Sequence, residues 1–140
     1  MSAFANCLSG SGTPSQQQDF ARTHLPLAVA NSELHLWLPD MGMASEGTRV
    51  LVGIATWSPY DLTLLDQLQV KLAAGEHQTF IDVFDVDTLC HGPDNFENCI
   101  PGIGRVFQTP AVGVWRNGIK AKSAWGAAGK KLLAEMGLVE

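Results

Sequence analysis

The clearest pattern in the sequence is an apolar run over residues 50–55, followed by an amphipathic stretch. A run without polar alternation is typical of a central strand that is covered on both faces. Ser58 and Pro59 then suit a helix start, as N-cap and first helical residue. The helix is predicted to end at Gly75 and to present one leucine face, formed by Leu62, Leu65, Leu68 and Leu72.

The second half of the chain predicts further strands and a closing helix. Asn117-Gly118 is the strongest local signal, because this dipeptide favours a two-residue hairpin turn. Residues 87–105 are rich in Gly, Pro and Asn and predict a loop with at most a short helix. The predicted strands cover residues 78–85, 111–115 and 119–123, and the last helix covers residues 126–136.

The first 48 residues carry a weaker pattern. Thr13 and Pro14 favour the start of a short helix that continues to about His24 and that Pro26 should end. Residues 34–38 alternate between leucine and a polar or aromatic residue, which predicts a strand.

Length and composition indicate one domain. The 140 residues are 46% hydrophobic and 16% charged, which is ordinary for a globular protein that buries one core. We expect a flexible segment over residues 1–12 and a domain over residues 13–140. Within that domain, residues 13–48 form an N-terminal extension and residues 49–136 form the core.

Charge and hydropathy narrow the class of partner. No apolar run is long enough to cross a bilayer, and the first residues resemble no secretory signal, so a cytoplasmic location without membrane contact is predicted. The formal net charge is −5, yet residues 105–140 hold six basic and two acidic side chains. That basic set is small and not interleaved with aromatics, so it predicts a solvated surface and no nucleic-acid binding.

The predicted order β-α-β-(α)-β-β-α, together with several short motifs, resembles the thioredoxin family. Trp57 stands where that family has the tryptophan before its redox motif, and Val86-Asp87 is similar to the end of the family's second core strand. Residues 109–118, TPAVGVWRNG, resemble the segment in which a cis-proline precedes a strand and an Asn-Gly hairpin. Gly126 matches the glycine before the last helix.

The resemblance extends over residues 49–136 and implies an α/β, thioredoxin-like fold. The expected architecture is a central mixed sheet of four to five strands with helices on both faces. The resemblance further implies a cis peptide bond between Thr109 and Pro110, next to Trp57.

The departures from the family pattern concern its chemistry. The two positions that hold thiols in the family are Ser58 and Asp61 here, and the family's buried carboxylate, five residues before the tryptophan, is Val52. Neither a hydroxyl nor a carboxylate can exchange with a disulfide. Dithiol chemistry is therefore excluded at this turn, and Asp61 is expected to stabilise the positive end of its helix instead.

With dithiol chemistry excluded, the family property that the resemblance still implies is a surface that recognises a peptide. In the family, the backbone before the cis-proline pairs with an extended peptide. The leading hypothesis is a redox-inactive domain that binds a peptide or protein partner without a cofactor, as an adaptor or chaperone-like assembly factor. Retention of Trp57 and Pro110 for packing alone is the competing explanation. The predicted surface comprises Trp57, Ser58, Tyr60, Asp61, Thr109 and Pro110.

The chain uses about eight more residues between Asp87 and Pro110 than the family pattern, and this insertion contains Cys90, His91 and Cys99. The two cysteines could form a relocated redox pair, which would make the protein a thiol-disulfide or peroxide oxidoreductase. With the histidine they could bind zinc, although adjacent Cys-His is an unfavourable chelate. They could also be incidental thiols, and a total of three cysteines argues against a disulfide framework.

Three further features of the sequence allow more than one interpretation. Three carboxylates lie on or after the second core strand: Asp82, Asp85 and Asp87. They are expected to be edge or strand-end groups, and a cation site is the alternative. The apolar residues of the extension are expected to pack on the domain; they are Leu34, Trp37, Leu38 and Met41. The alternative is that they form a self-association patch and hence a homodimer. A small-molecule pocket between the insertion and the Trp57 turn is a third functional hypothesis.

Overall fold

The computed structural model describes residues 24–25, 29–30, 32, 34–36, 47–55, 59–74, 79–85 and 109–139. These residues form five strands and two complete helices. The strands are β1 (His35–Leu36), β2 (Thr48–Ile54), β3 (Phe80–Asp85), β4 (Ala111–Arg116) and β5 (Ile119–Trp125), and the helices are α1 (Pro59–Ala73) and α2 (Ala127–Glu135).

The five strands form one mixed sheet in the order β1-β3-β2-β4-β5. β1 and β2 both pair in parallel with β3, whereas β4 is antiparallel to β2 and β5 is antiparallel to β4. The predicted α/β class and its central mixed sheet are confirmed. β2 lies in the middle of the sheet, so its carboxyl end lies at the centre of one sheet edge.

The apolar run of β2 is buried on both faces, as its sequence predicted. Val50, Val52 and Ile54 belong to the main hydrophobic cluster, and Leu51, on the opposite face, is also inaccessible to solvent. The leucine face of α1 packs into the same cluster, with Leu64 as an additional member and Leu72 partly buried. Burial of these side chains removes a large apolar area from water, which is the main favourable term in folding.

The hairpin between β4 and β5 has the predicted turn. Asn117 and Gly118 both have positive φ, 53° and 83°, which is the backbone that an Asn-Gly hairpin turn requires. The turn is also tied to the start of β2, because the Asn117 N–H donates to the Gly47 carbonyl at 2.9 Å and the Gly47 N–H donates to Asn117 Oδ1 at 3.1 Å. The hairpin is therefore positioned against the centre of the sheet.

Helix α2 ends in a Schellman motif. The Gly137 N–H donates to the Ala134 carbonyl and the Leu138 N–H donates to the Leu133 carbonyl, both at 3.0 Å, and Gly137 has a φ of 75°. Leu133 and Leu138 are both buried, which supplies the apolar contact that accompanies this motif. The chain consequently turns back on the core directly after the helix.

Some element bounds differ from the sequence prediction. Val29 and Ala30 are helical, three and four residues after the predicted helix end at Pro26, and Val29 is buried, as is Leu25. β5 continues two residues further than predicted, to Trp125, because it stays paired with the start of β4.

Several predictions lie outside the described residues. They concern residues 1–12 and the helix start at Thr13, together with Trp37, Leu38, Met41, Val86 and Asp87. No helix in the described ranges is long and apolar enough to cross a membrane.

Candidate functional site

The Thr109–Pro110 peptide bond is cis and immediately precedes β4. Ala111 is the register partner of Gly53 near the carboxyl end of β2, so the cis bond lies at the sheet edge where β2 leads into α1. Pro110 is buried and Thr109 is half-buried. Thr109 is thus the residue of this pair that remains accessible to a partner.

The start of α2 holds the cis-proline segment in place. The Gly126 N–H, at a backbone φ of 68°, donates to the Pro110 carbonyl at 2.9 Å. One turn later, Gly129 lies so close that a Cβ built on it would be 2.7 Å from the Pro110 oxygen and 3.3 Å from Val112 Cγ2. The absence of a side chain at Gly129 therefore permits the helix to approach the segment.

Asp61 lies in the first turn of α1, as the sequence predicted, and is only 4% exposed. Its Oδ2 accepts a hydrogen bond of 3.0 Å from the buried N–H of Ala55, at the end of β2. This contact goes beyond the expected effect on the helix end, because it links the helix to the preceding strand and satisfies a backbone donor that water cannot reach. At the position that the sequence resemblance aligns with the family's second thiol, the chain thus has a buried carboxylate.

Tyr60 has the opposite environment to its neighbour Asp61. It is 81% exposed, whereas helix α1 buries most of its other large apolar side chains. A tyrosine ring combines a large apolar area with a hydroxyl group, and such side chains are enriched at binding interfaces. The exposed ring lies in the first turn of α1, at the same sheet edge as Thr109.

Four of the six predicted surface residues lie within the described ranges, Tyr60 and Asp61 at the start of α1 and Thr109 and Pro110 directly before β4. We call these four residues the cis-proline surface; Tyr60 and Thr109 are its accessible members, whereas Asp61 and Pro110 are buried. Trp57 and Ser58 lie outside the described residues, as do Cys90, His91 and Cys99, so neither the relocated redox pair nor the zinc site is tested. Within the described ranges, no group of three His, Cys, Asp or Glu side chains could hold a metal ion.

The prediction that Asp82 is an edge or strand-end carboxylate is wrong. It lies in the middle of β3, between β1 and β2, and is only 3% exposed. Its Oδ2 is 3.3 Å from Arg49 Nε, and the Arg49 guanidinium lies over the Phe80 ring at 4.9 Å. Burial raises the pKa of Asp82, and the nearby positive charges of Arg49 and His35 lower it in part. Its other oxygen, Oδ1, is buried without a hydrogen-bond partner.

Sequence reasoning missed this ion pair, because the pair depends on which strands are neighbours and on their register. Arg49 and Asp82 come from neighbouring strands, and Arg49 is the register partner of Phe80, two residues before Asp82. Residues two apart on a strand point to the same face, so parallel pairing places these three side chains together. The alternation of side chains along one strand does not reveal which strand lies beside β3.

Comparison with known proteins supports the fold. No protein-family model and no curated protein matches the sequence. A solved structure described as showing the thiol resolving mechanism in yeast mitochondrial 1-Cys peroxiredoxin via glutathione/thioredoxin systems is 19% identical, with a TM-score of 0.52 over 76% of this chain and 96% of that one. Malassezia sympodialis thioredoxin is also 19% identical, with a TM-score of 0.52 over 76% of this chain and 90% of its own.

A third similar structure is ERdj5, at 21% identity and a TM-score of 0.50, where the match covers 79% of this chain and 14% of that protein. These likenesses support the overall fold of the chain. The chain has a thioredoxin-like fold, and the resemblance noted in the sequence is confirmed at that level.

Proposed function

We propose that this thioredoxin-like domain binds an extended peptide or protein segment at the cis-proline surface, without redox chemistry at that surface. It would serve as an adaptor or a chaperone-like assembly factor in the cytoplasm. The observation that carries the proposal is the contrast between two adjacent residues. Asp61 is buried and hydrogen-bonded to the backbone, and Tyr60 beside it is almost fully exposed.

Disulfide exchange at this surface would need thiol groups. Exchange with a disulfide requires an accessible thiolate, and a domain that resolves the resulting mixed disulfide by itself requires a second thiol. Asp61 stands at the position of that second thiol and offers a carboxylate whose Oδ2 accepts the Ala55 N–H. The turn therefore has a structural group where an electron donor would be needed.

Recognition at this surface would need accessible groups. Thr109 is half-buried next to the cis bond, and the Pro110 carbonyl already accepts the Gly126 N–H. The backbone before the proline is thus the part of this segment on which a partner strand could pair. Tyr60 adds an exposed aromatic contact at the same edge, and aromatic side chains supply a large share of binding energy at protein interfaces.

The test is selection of binding peptides from a random display library, followed by calorimetry on the best sequence that contains no cysteine. Tyr60→Ala should weaken binding by at least about tenfold, since an interface tyrosine at a hot spot contributes about 2 kcal/mol or more. Val70→Ala is the matched control, because Val70 is 68% exposed on the same helix but lies in its last part. It should bind like the wild type.

Two outcomes oppose the proposal. Equal affinity of wild type and Tyr60→Ala would place binding elsewhere, and failure to select any peptide would remove the recognition role.

A second candidate function is suggested by the proteins whose structures are similar. The similar structures are mostly redox proteins, one of them a thioredoxin. The candidate is thiol-disulfide or peroxide chemistry by Cys90 and Cys99. Reduction of insulin disulfides by wild-type protein, lost in Cys90→Ser, would favour this candidate over the first.

A further inference from the structure

A concave site lies at the sheet edge opposite the cis-proline surface. β4 runs from Ala111, beside the cis bond, to Arg116, so its six residues separate the two sites by about 20 Å. The cavity has a volume of about 280 Å³. We call it the far-end pocket; it is lined by Thr48, Thr79, Val114, Arg116, Lys122, Leu132, Glu135 and Met136.

The pocket exists because α2 is shorter than the strands beneath it. The helix covers Val112 and Val114 and ends at Glu135, where the Schellman motif turns the chain back to the core. Arg116 is two residues beyond Val114 on the same strand and therefore points to the same face. Its side chain and that of Lys122, the register partner of Val114, extend past the helix end and form one wall.

The side chains that line the pocket differ in polarity. Three of the lining side chains are apolar; Val114 and Leu132 are buried and Met136 is half-buried, so Met136 offers most of the accessible apolar surface. Arg116 and Lys122 are exposed, and within the described ranges no carboxylate lies at ion-pair distance from either of them. Two hydroxyl groups, of Thr48 and Thr79, add polar contacts at the rim. Apolar lining side chains beside two cations and a single carboxylate are complementary to a molecule with one apolar part and one anionic part.

Two groups near the pocket oppose an anion. Glu135 brings one negative charge to the rim, so the two cations leave a net positive charge. The C-terminal end of α2 carries the negative end of the helix dipole. Its effect is reduced because the carbonyls of Leu133 and Ala134 accept N–H groups from Leu138 and Gly137.

We infer that the far-end pocket binds a small amphipathic carboxylate, with the carboxylate at Arg116 and Lys122 and the apolar chain on Val114, Leu132 and Met136. The volume corresponds to about nine water-sized groups, which suits a straight-chain acid of about eight carbons. A molecule of this size is expected to bind with a Kd on the order of 0.1–1 mM. The inference does not depend on the function proposed for the cis-proline surface.

The probe is octanoate, followed by two-dimensional NMR of labelled protein. Methyl signals of Val114, Leu132 and Met136 should shift and saturate, while signals of Tyr60 and Thr109 should stay. Octylammonium carries the same chain with the opposite charge, and acetate carries the same charge without the chain. Both should shift these signals at least about tenfold more weakly than octanoate at equal concentration.

Lys122→Glu should reduce octanoate affinity by at least about tenfold, because it removes one cation and adds a charge that repels the ligand. Lys130→Glu is the control with the same change of charge, since Lys130 is an exposed residue of α2 that does not line the pocket. It should bind octanoate within about twofold of the wild type. Both positions are exposed, and an unchanged urea midpoint will verify that each variant is folded.

Three results would overturn the inference. They are no saturable shift at Val114, Leu132 or Met136, equal binding of octylammonium, and equal affinity of the Lys122→Glu and Lys130→Glu proteins.

Discussion

Gly129→Ala tests how α2 positions the cis-proline segment. A Cβ at this position would lie 2.7 Å from the Pro110 oxygen and 3.3 Å from both the Ala124 oxygen and Val112 Cγ2. The nearest atom belongs to the backbone, so it cannot move aside by changing a rotamer. The same Pro110 oxygen accepts the Gly126 N–H, and any shift of the helix will lengthen that bond.

The magnitude follows from three terms. Alanine in place of glycine favours the helix by about 1 kcal/mol. Overpacking of a tight contact costs about 1–3 kcal/mol, and weakening of the Gly126 hydrogen bond costs about 1 kcal/mol. We therefore expect Gly129→Ala to lower the free energy of unfolding by about 1–3 kcal/mol.

The assay is equilibrium unfolding in urea, followed by fluorescence and circular dichroism. Ala128→Gly is the control, because Ala128 is exposed in the same helix and its substitution measures helix propensity alone, at about 1 kcal/mol. NMR signals of Thr109 should shift in Gly129→Ala and stay unchanged in Ala128→Gly. A Gly129→Ala protein that is stabilised by about 1 kcal/mol would refute the close contact, since propensity would then be the only term left.

Two further predictions concern buried carboxylates. Asp61→Ala should lower the free energy of unfolding by about 1–3 kcal/mol, because it leaves the buried Ala55 N–H without its acceptor. Asp61→Asn keeps an acceptor oxygen and should lose less stability. Equal losses of the two variants in urea unfolding would contradict the assigned hydrogen bond. Burial raises the folded-state pKa of Asp82 above its ordinary value of 3.8, so the folded protein holds this proton more tightly than the unfolded chain. The Asp82 contribution to stability should therefore be present below pH 3.8 and fall as the pH rises from 3.8 to the folded-state pKa. Urea unfolding across this range should show the fall in the wild type and not in Asp82→Asn; identical pH profiles would refute it.

Local signals in the sequence were sufficient for much of the fold. The apolar run of β2 and the leucine face of α1 depend on periodicity, and the Asn117-Gly118 turn depends on the backbone preferences of two residues. Each of these follows from the residues that form it. The thioredoxin-like order could be recognised because all such signals occur in the right succession.

Contacts between distant segments could not be predicted in this way. The approach of Gly129 to Pro110 depends on how α2 lies on β4, and a glycine inside a helix only signals that some packing reason exists. The Arg49–Asp82 pair depends on the pairing of β2 with β3. The far-end pocket depends on the length of α2 relative to the strands, which a sequence reveals only once the sheet order is known.

The same reasoning applies to Asp61. The sequence indicated its place in the first turn of α1 and its inability to act as a thiol. Its bond to Ala55 requires the end of β2 to lie beside that turn, which only the folded chain shows.

The central claim is that the cis-proline surface recognises a partner without sulfur chemistry. The most direct measurement is calorimetric titration of a selected peptide without cysteine into a chain with all three cysteines replaced, Cys7→Ser, Cys90→Ser and Cys99→Ser. The account predicts a Kd within about twofold of the wild-type value, and loss of that binding when Tyr60→Ala is added. Binding that disappears with the cysteines, or that persists in Tyr60→Ala, would contradict it.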